Sequence, residues 1–184
     1  MTLVVGLDLS LTSSGVAIIG WPGPAMATPY AHVSRVRSKG TRGDTLQDRH
    51  ARLRMLAQAI IDEARGAALV VVEQPAFSAV GGSHHDRSGL WWLVVGRLLS
   101  REIPVVEVTP GQLKKYATGS GVAGKDAVLA AVVRRYPCVD VGNNDEADAL
   151  VLAAIGARRL GFPLEESLPK PNLTALEAVS WPGG

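Results

Sequence analysis

The chain has 184 residues and is 47% hydrophobic, which suits one ordinary folded domain and excludes a chain of disordered composition. Its apolar stretches, such as Ala67 to Val72, are too short to span a bilayer, and an apolar start broken by Asp8 with no basic lead argues against a secretory signal. A single cysteine, Cys138, excludes an internal disulfide and fits a cytoplasmic protein, and the formal charge of +2 (19 Lys and Arg, 17 Asp and Glu) excludes a chain dominated by one sign.

The spacing predicts a buried strand over Leu3 to Leu9 and a second over Ser14 to Gly20, joined as a hairpin. After the turn Trp21–Pro22–Gly23–Pro24, Tyr30 to Arg37 alternates as a third strand, and Ser38 to Gly43 reads as a basic loop. A long helix follows, with Asp44 as N-cap and Gln47 completing a capping box; Leu46, Leu53, Leu56, Ile60 and Ala64 form its apolar face, and Gly66 ends it. Ala67 to Glu73 is a Val-rich run expected of a central strand buried on both faces.

Gln74 to Gly89 reads as a loop, Leu90 to Arg101 as a helix and Pro104 to Val108 as a short strand. Thr109–Pro110 opens a short helix to Tyr116. Gly119 to Gly124 is glycine-rich, and Lys125 to Tyr136 is a helix stopped by Pro137. Asn143 or Asn144 caps a last core helix running to Leu160. A meander followed by strand–helix–strand units predicts an α/β fold with a five-stranded mixed sheet flanked by helices. Residues 1–161 form that domain; 162–184 are expected to be a Pro-containing C-terminal tail, with at most a helical turn or two over Leu173 to Val179.

Four carboxylates occupy chemically informative places. Asp8 stands near the end of the first strand and Glu73 at the end of the buried run, at the mouth of the sheet where active sites of open sheets lie. Asp145 and Asp148 are three apart at the start of an apolar helix and share a face. Each has a bland alternative: turn capping for Asp8, complementation of the helix dipole for the pair. Together they form a set of hard oxygen donors suited to Mg²⁺ or Mn²⁺. Without these four, the balance is 19 − 13, or +6, a remainder that suits a phosphate-binding face.

Gly6–Leu7–Asp8–Leu9–Ser10 with Gly15, Val72–Glu73–Gln74, and Asp145–Glu146–Ala147–Asp148–Ala149–Leu150 resemble the acidic tetrad motifs of the RuvC-type Holliday-junction resolvases. The resemblance spans residues 3 to 160 and extends to Gln112–Leu113–Lys114–Lys115 and Gly124–Lys125, where that family has DNA-contacting lysines. It implies a ribonuclease H-like fold and a homodimer acting on four-way DNA junctions. It also implies two Mg²⁺ ions per active site, with Mn²⁺ as substitute, and paired nicks that leave 5′-phosphate and 3′-hydroxyl ends. Asp8, Glu73, Asp145 and Asp148 would be the catalytic metal ligands, and Lys114, Lys115 and Lys125 would hold DNA. The chain departs from the family after Glu73–Gln74: Pro75 and Ala76 stand where an aromatic wedge is expected, and Phe77 is the nearest aromatic.

Other features leave choices open. Adjacent His84 and His85 complete no zinc site and read as solvated loop residues. The helix containing Trp91 and Trp92 is apolar almost all round and is either buried in the monomer or part of a dimer interface. Two further functions compete: a looser nuclease for flaps, forks or RNA–DNA hybrids, and an actin- or Hsp70-like ATP-binding protein, whose first phosphate loop Gly6 to Ala17 resembles.

Overall fold

The computed structural model describes residues 1–23, 29–75 and 83–182. Strands β1 (Thr2–Asp8), β2 (Ser13–Trp21) and β3 (Tyr30–Arg37) form an antiparallel meander. β4 (Leu69–Glu73) and β5 (Val105–Val108) extend it in parallel, giving the five-stranded mixed order β3-β2-β1-β4-β5. The helices are α1 (Leu46–Glu63), α2 (His84–Leu99), α3 (Pro110–Thr118), α4 (Lys125–Arg135), α5 (Asn144–Arg159) and α6 (Lys170–Glu177).

Strand alternation divides the core in two. Val5, Leu7, Val70 and Val72 pack with α1 and α2 through Leu56, Ile60, Leu90 and Val94. Val4, Leu69 and Val71 belong to the opposite core, with Ala149, Leu152 and Ala153 of α5 and with α3 and α4 beyond it. Helix α5 is therefore covered on all sides and is buried from Ala149 to Ala157. Its continuous apolar run, broken near its start by Asp148, reflects that double cover.

The approach of α5 to the sheet is set by glycine. A Cβ on Gly6 would stand 2.1 Å from the Ala149 carbonyl oxygen, and one on Gly15 2.0 Å from that of Asp145. Backbone thus lies on backbone at two points, one in β1 and one in β2.

Three local expectations are corrected. Thr45, not Asp44, caps α1: its hydroxyl accepts from the Asp48 amide, and Asp48 closes the box in place of Gln47. Asp44 instead accepts from the Thr41 amide, three residues earlier, at 2.9 Å. Leu46, placed on the apolar face, is 71% exposed, and Ala57 and Ile61 join that face instead. Helix α2 begins at His84, so His84 and His85 are helical, though exposed. Gly89 reads as a breaker, but a paired Arg49–Asp86 contact from α1 (Nε–Oδ2 2.9 Å) holds this first stretch in place. Phe77 and the rest of 76–82 lie outside the described residues.

The segment after Gly161 folds back onto α3. Asn172, Ala175 and Val179 are buried, and Asn172 Nδ2 donates to the Tyr116 carbonyl at 2.8 Å. Glu165 is also buried; its carboxylate accepts from the Tyr116 and Tyr136 hydroxyls and from Arg158 Nη2 at 3.1 Å. Burial and the Glu165 charge hold both phenols above their ordinary pKa, so both remain donors. Pro171 fits the first turn of α6, where its missing N–H costs nothing.

Gly6→Ala tests the close packing. The added methyl meets a backbone oxygen that cannot turn aside, so α5 must move away from β1. Denaturant unfolding is expected to show a loss of about 3 kcal/mol, the upper end for overpacking; a loss below about 0.5 kcal/mol, as at an ordinary surface site, is the contrary result.

Candidate active site

β1 and β4 are parallel neighbours in register from Val4–Leu69 to Leu7–Val72, so the strands deliver Asp8 and Glu73 side by side where they leave the sheet. The period of two sets both on the α5 face: Asp8 follows Val4 and Gly6, and Glu73 follows Leu69 and Val71. Helix α5 starts above them because Gly15 admits the Asp145 carbonyl. Asn143 caps it, accepting from the Glu146 amide at 3.1 Å. Asp145 and Asp148 then fall one turn apart over the two strand ends.

Asp8, Glu73 and Asp145 line one open cleft of about 350 Å³, together with Gln74, Arg87 and Lys125. Asp148 acts on Asp8 and Glu73 by its charge. Burial pushes the Asp8 carboxyl up to about 8, reinforced by the charges of Glu73, Asp148 and Asp145. Burial and Asp148 push Glu73 up to about 7, while a hydrogen bond with Asp8 and the charges of Lys125 and Lys114 oppose the rise. Burial raises Asp148 to about 6.

These shifts have one cause: negative charge is gathered in a partly dry place without enough positive charge to match. A divalent cation would supply what is missing, and an all-oxygen donor set suits Mg²⁺. Among the described residues no three Asp, Glu, His or Cys side chains already close around a point that could hold an ion. Mg²⁺ does not require that, since it is held by one or two carboxylates and keeps water and phosphate oxygens as its other ligands. The residues present fit such an ion.

Of the three lysines singled out from the sequence, two come to the site. Lys125, at the start of α4, lines the cleft, and Lys114 of α3 pulls on Glu73 and Asp148. Lys115, about 100° further round α3, neither lines the cleft nor acts on a raised carboxyl. Three contributors went unread in the sequence. Ser13 donates to Asp145 Oδ2 at 2.7 Å, the Trp91 indole N–H donates to the Glu73 carbonyl at 3.0 Å, and Arg87 reaches the cleft from the first turns of α2. A serine at a hairpin carries no distinctive signal, Arg87 depends on α2 starting earlier than its apolar pattern, and the Trp91 bond joins two elements that are separate in sequence. Arg35 of β3 pairs with Glu146 at 3.0 Å.

Sheet order, helix cover and the carboxylate mouth together define a ribonuclease H-like fold. Thermus thermophilus RuvC superposes with a TM-score of 0.67 over 88% of this chain and 98% of that one, at 19% identity. The same protein in complex with Holliday junction substrate gives 0.65 at 16% identity, again over 88% and 98%. No family model matches the chain. The crossover junction endodeoxyribonuclease RuvC of Paenarthrobacter aurescens is 34% identical over 183 residues, covering 95% of this chain and 91% of that protein. Its counterpart in Rhodococcus jostii is 31% identical over 180 residues, covering 95% and 89%. The chain belongs to the RuvC family.

The raised carboxyls make stability depend on pH. A carboxyl whose folded pKa is raised binds its proton more tightly in the folded state, so its contribution is complete below the unfolded value and is lost as pH rises through the folded one. For Asp8 that window runs from 3.8 to about 8. In chelator, the melting temperature should fall between pH 5 and pH 8.5, and Mg²⁺ should restore part of it at the upper end. Asp8→Asn should flatten both effects. A metal-free melting temperature that rises across this range contradicts the charge arrangement.

Proposed function

We propose that this protein is a metal-dependent, structure-selective endonuclease that resolves Holliday junctions by paired nicks leaving 5′-phosphate and 3′-hydroxyl ends. The observation that carries the reading is the convergence of Asp8, Glu73 and Asp145 from β1, β4 and α5 on one cleft with Lys125, with Asp148 and Lys114 close enough to act on Glu73 by charge. The relatives named above are crossover junction endodeoxyribonucleases, and one structural neighbour holds a Holliday junction.

In this reading the four carboxylates would hold two Mg²⁺ ions, or Mn²⁺ in their place. The ions would supply electrostatic stabilisation of the attacking and leaving oxygens of a phosphodiester. The carboxylates would fix the ions, with Ser13 steadying Asp145. Lys114 and Lys125 would bind the phosphates flanking the cut and keep a polyanion against an acidic cleft. The turn from Gly119 to Gly124 brings α4's positive end to the same side. Contacts of this kind position a duplex without reading its sequence. Lys115 would hold phosphate further along the strand.

The test is cleavage of a mobile four-way junction beside flap, fork and RNA–DNA hybrid substrates with Mg²⁺. Wild type should cut the junction preferentially. Asp8→Asn, Glu73→Gln, Asp145→Asn and Asp148→Asn should abolish cutting and leave binding intact, while Lys114→Ala and Lys125→Ala should weaken binding and each lower its salt slope by about 1. Equal cutting of all substrates would point to the looser nuclease, and full activity in two carboxylate variants would reject the site.

Paired nicking of a twofold-symmetric junction requires two active sites related by a twofold axis, so the working unit is a homodimer. Helix α2 offers the interface. Its inner face buries Leu90, Val94, Val95 and Leu98, while Trp92 (66%), Leu93 (38%) and Leu99 (54%) remain exposed. Trp92, Gly96 and Leu99 follow helical spacing and make one outward stripe that a second copy can cover. Sedimentation should find wild type dimeric at micromolar concentration. Trp92→Glu should be monomeric and cut one strand at a time; a monomeric wild type, with and without junction DNA, would remove the paired-nick reading.

A further inference from the structure

Trp91 lies where the helical layer of α1 and α2 meets the acid cleft. It lines that cleft, and its indole N–H donates to the backbone carbonyl of Glu73 at 3.0 Å. Its ring meets Trp92 edge-on, with centroids 4.8 Å apart and planes at 85°. The bond reaches across layers: Glu73 turns its side chain toward α5, and Trp91 holds the same residue's backbone from the other face of the sheet.

The position of that carbonyl explains why a side chain serves it. The Gln74 amide is bonded to the Val108 carbonyl on β5. In a trans peptide the C=O opposes the following N–H, so the Glu73 carbonyl faces β1. There the ladder has already ended, at Leu7–Val72. Glu73 is thus the residue at which β4 loses its β1 partner while still carrying a charged side chain into the cleft. Among the described residues, its carbonyl takes a donor from Trp91. The ring is packed against Trp92, so the donor is held in direction as well as distance.

We infer that Trp91 is a positioning residue for Glu73, resting on the reading of Glu73 as a metal ligand. By fixing the last peptide of β4 it fixes the direction in which the Glu73 carboxylate leaves the sheet, and so its placement beside Asp8. Loss of the N–H leaves a strand-end carbonyl unpaired and lets that peptide turn. Metal affinity then falls, whereas DNA affinity, which depends on Lys114 and Lys125 on other elements, does not. The same contact ties the cleft to α2, the helix proposed as the dimer interface.

Trp91→Phe removes the N–H and keeps an aromatic ring in place. The Mg²⁺ concentration for half-maximal junction cutting should rise about 10-fold, the lower end for loss of a group that orients a metal ligand. The Mg²⁺-induced rise in melting temperature should shrink, and junction affinity in chelator should be unchanged. Trp181→Phe is the control: that indole N–H also meets a backbone carbonyl, Leu176 at 3.4 Å, but its ring lies beside Leu69, at the other end of β4.

A measurement on wild type covers the case in which Trp91→Phe does not fold. In protein with ¹⁵N-labelled indoles, the Trp91 Nε1–H resonance should move on Mg²⁺ addition while that of Trp181 stays. A stationary Trp91 resonance while Mg²⁺ still raises the melting temperature, or a Trp91→Phe variant with wild-type Mg²⁺ dependence, overturns the inference and leaves the metal site standing. A wild type whose melting temperature and indole spectrum both ignore Mg²⁺ overturns the metal reading and this inference with it.

Discussion

The contact of α5 with β1 and β2, backbone against backbone, is the constraint from which the rest of this structure follows. Helices pack on sheets with side chains between them, and that spacing would hold Asp145 and Asp148 away from Asp8 and Glu73. Gly6 and Gly15 remove the side chains where α5 crosses the sheet. The alanines along its sheet-facing turns, Ala149 and Ala153, continue the close fit. Proximity of the carboxylates is therefore a packing result: burial of an apolar helix holds like charges together against their repulsion.

That arrangement carries an electrostatic cost which the chain offsets only in part. Lys114 and Lys125 draw Glu73 and Asp148 back toward ionisation, and Ser13 donates to Asp145. Asp8 has the largest burial and three acidic neighbours, and it remains the furthest shifted. A cation bound there would relieve a repulsion already present. The lysines moderate the acids from helices bordering the cleft, and under the proposed function the same charges would meet phosphate.

The two sides of the sheet divide the labour. On one, α5 supports the carboxylates, while α3 and α4 carry the lysines. The segment after Gly161 braces α3 from behind through Asn172 and the buried Glu165, joined to Tyr116, Tyr136 and Arg158. On the other, α1 and α2 fill the core beneath β1 and β4. Trp91 crosses from that side to the peptide of Glu73, so both layers meet at the end of β4.

Much of this was legible in the residues. Period-two strands, the Val-rich run ending in Glu73, the Pro110 helix start and the Asp145–Asp148 spacing are local patterns, and each is decided by backbone geometry over a few residues. The mixed sheet and the positions of Asp8 and Glu73 follow from them. The start of α2 did not, because Gly89 disfavours helix locally and the contact that holds it joins Arg49 and Asp86, 37 residues apart in sequence. The C-terminal segment read as a tail because its prolines speak locally, whereas its burial depends on Tyr116 and Tyr136 far upstream. Ser13, Arg87 and the Trp91 indole joined the site for the same reason. The sequence by itself determined which residues are acidic, apolar or able to begin a helix. Tertiary structure alone decided which of them meet, since a carboxyl shift or a strand-end hydrogen bond exists only once separate elements share one volume.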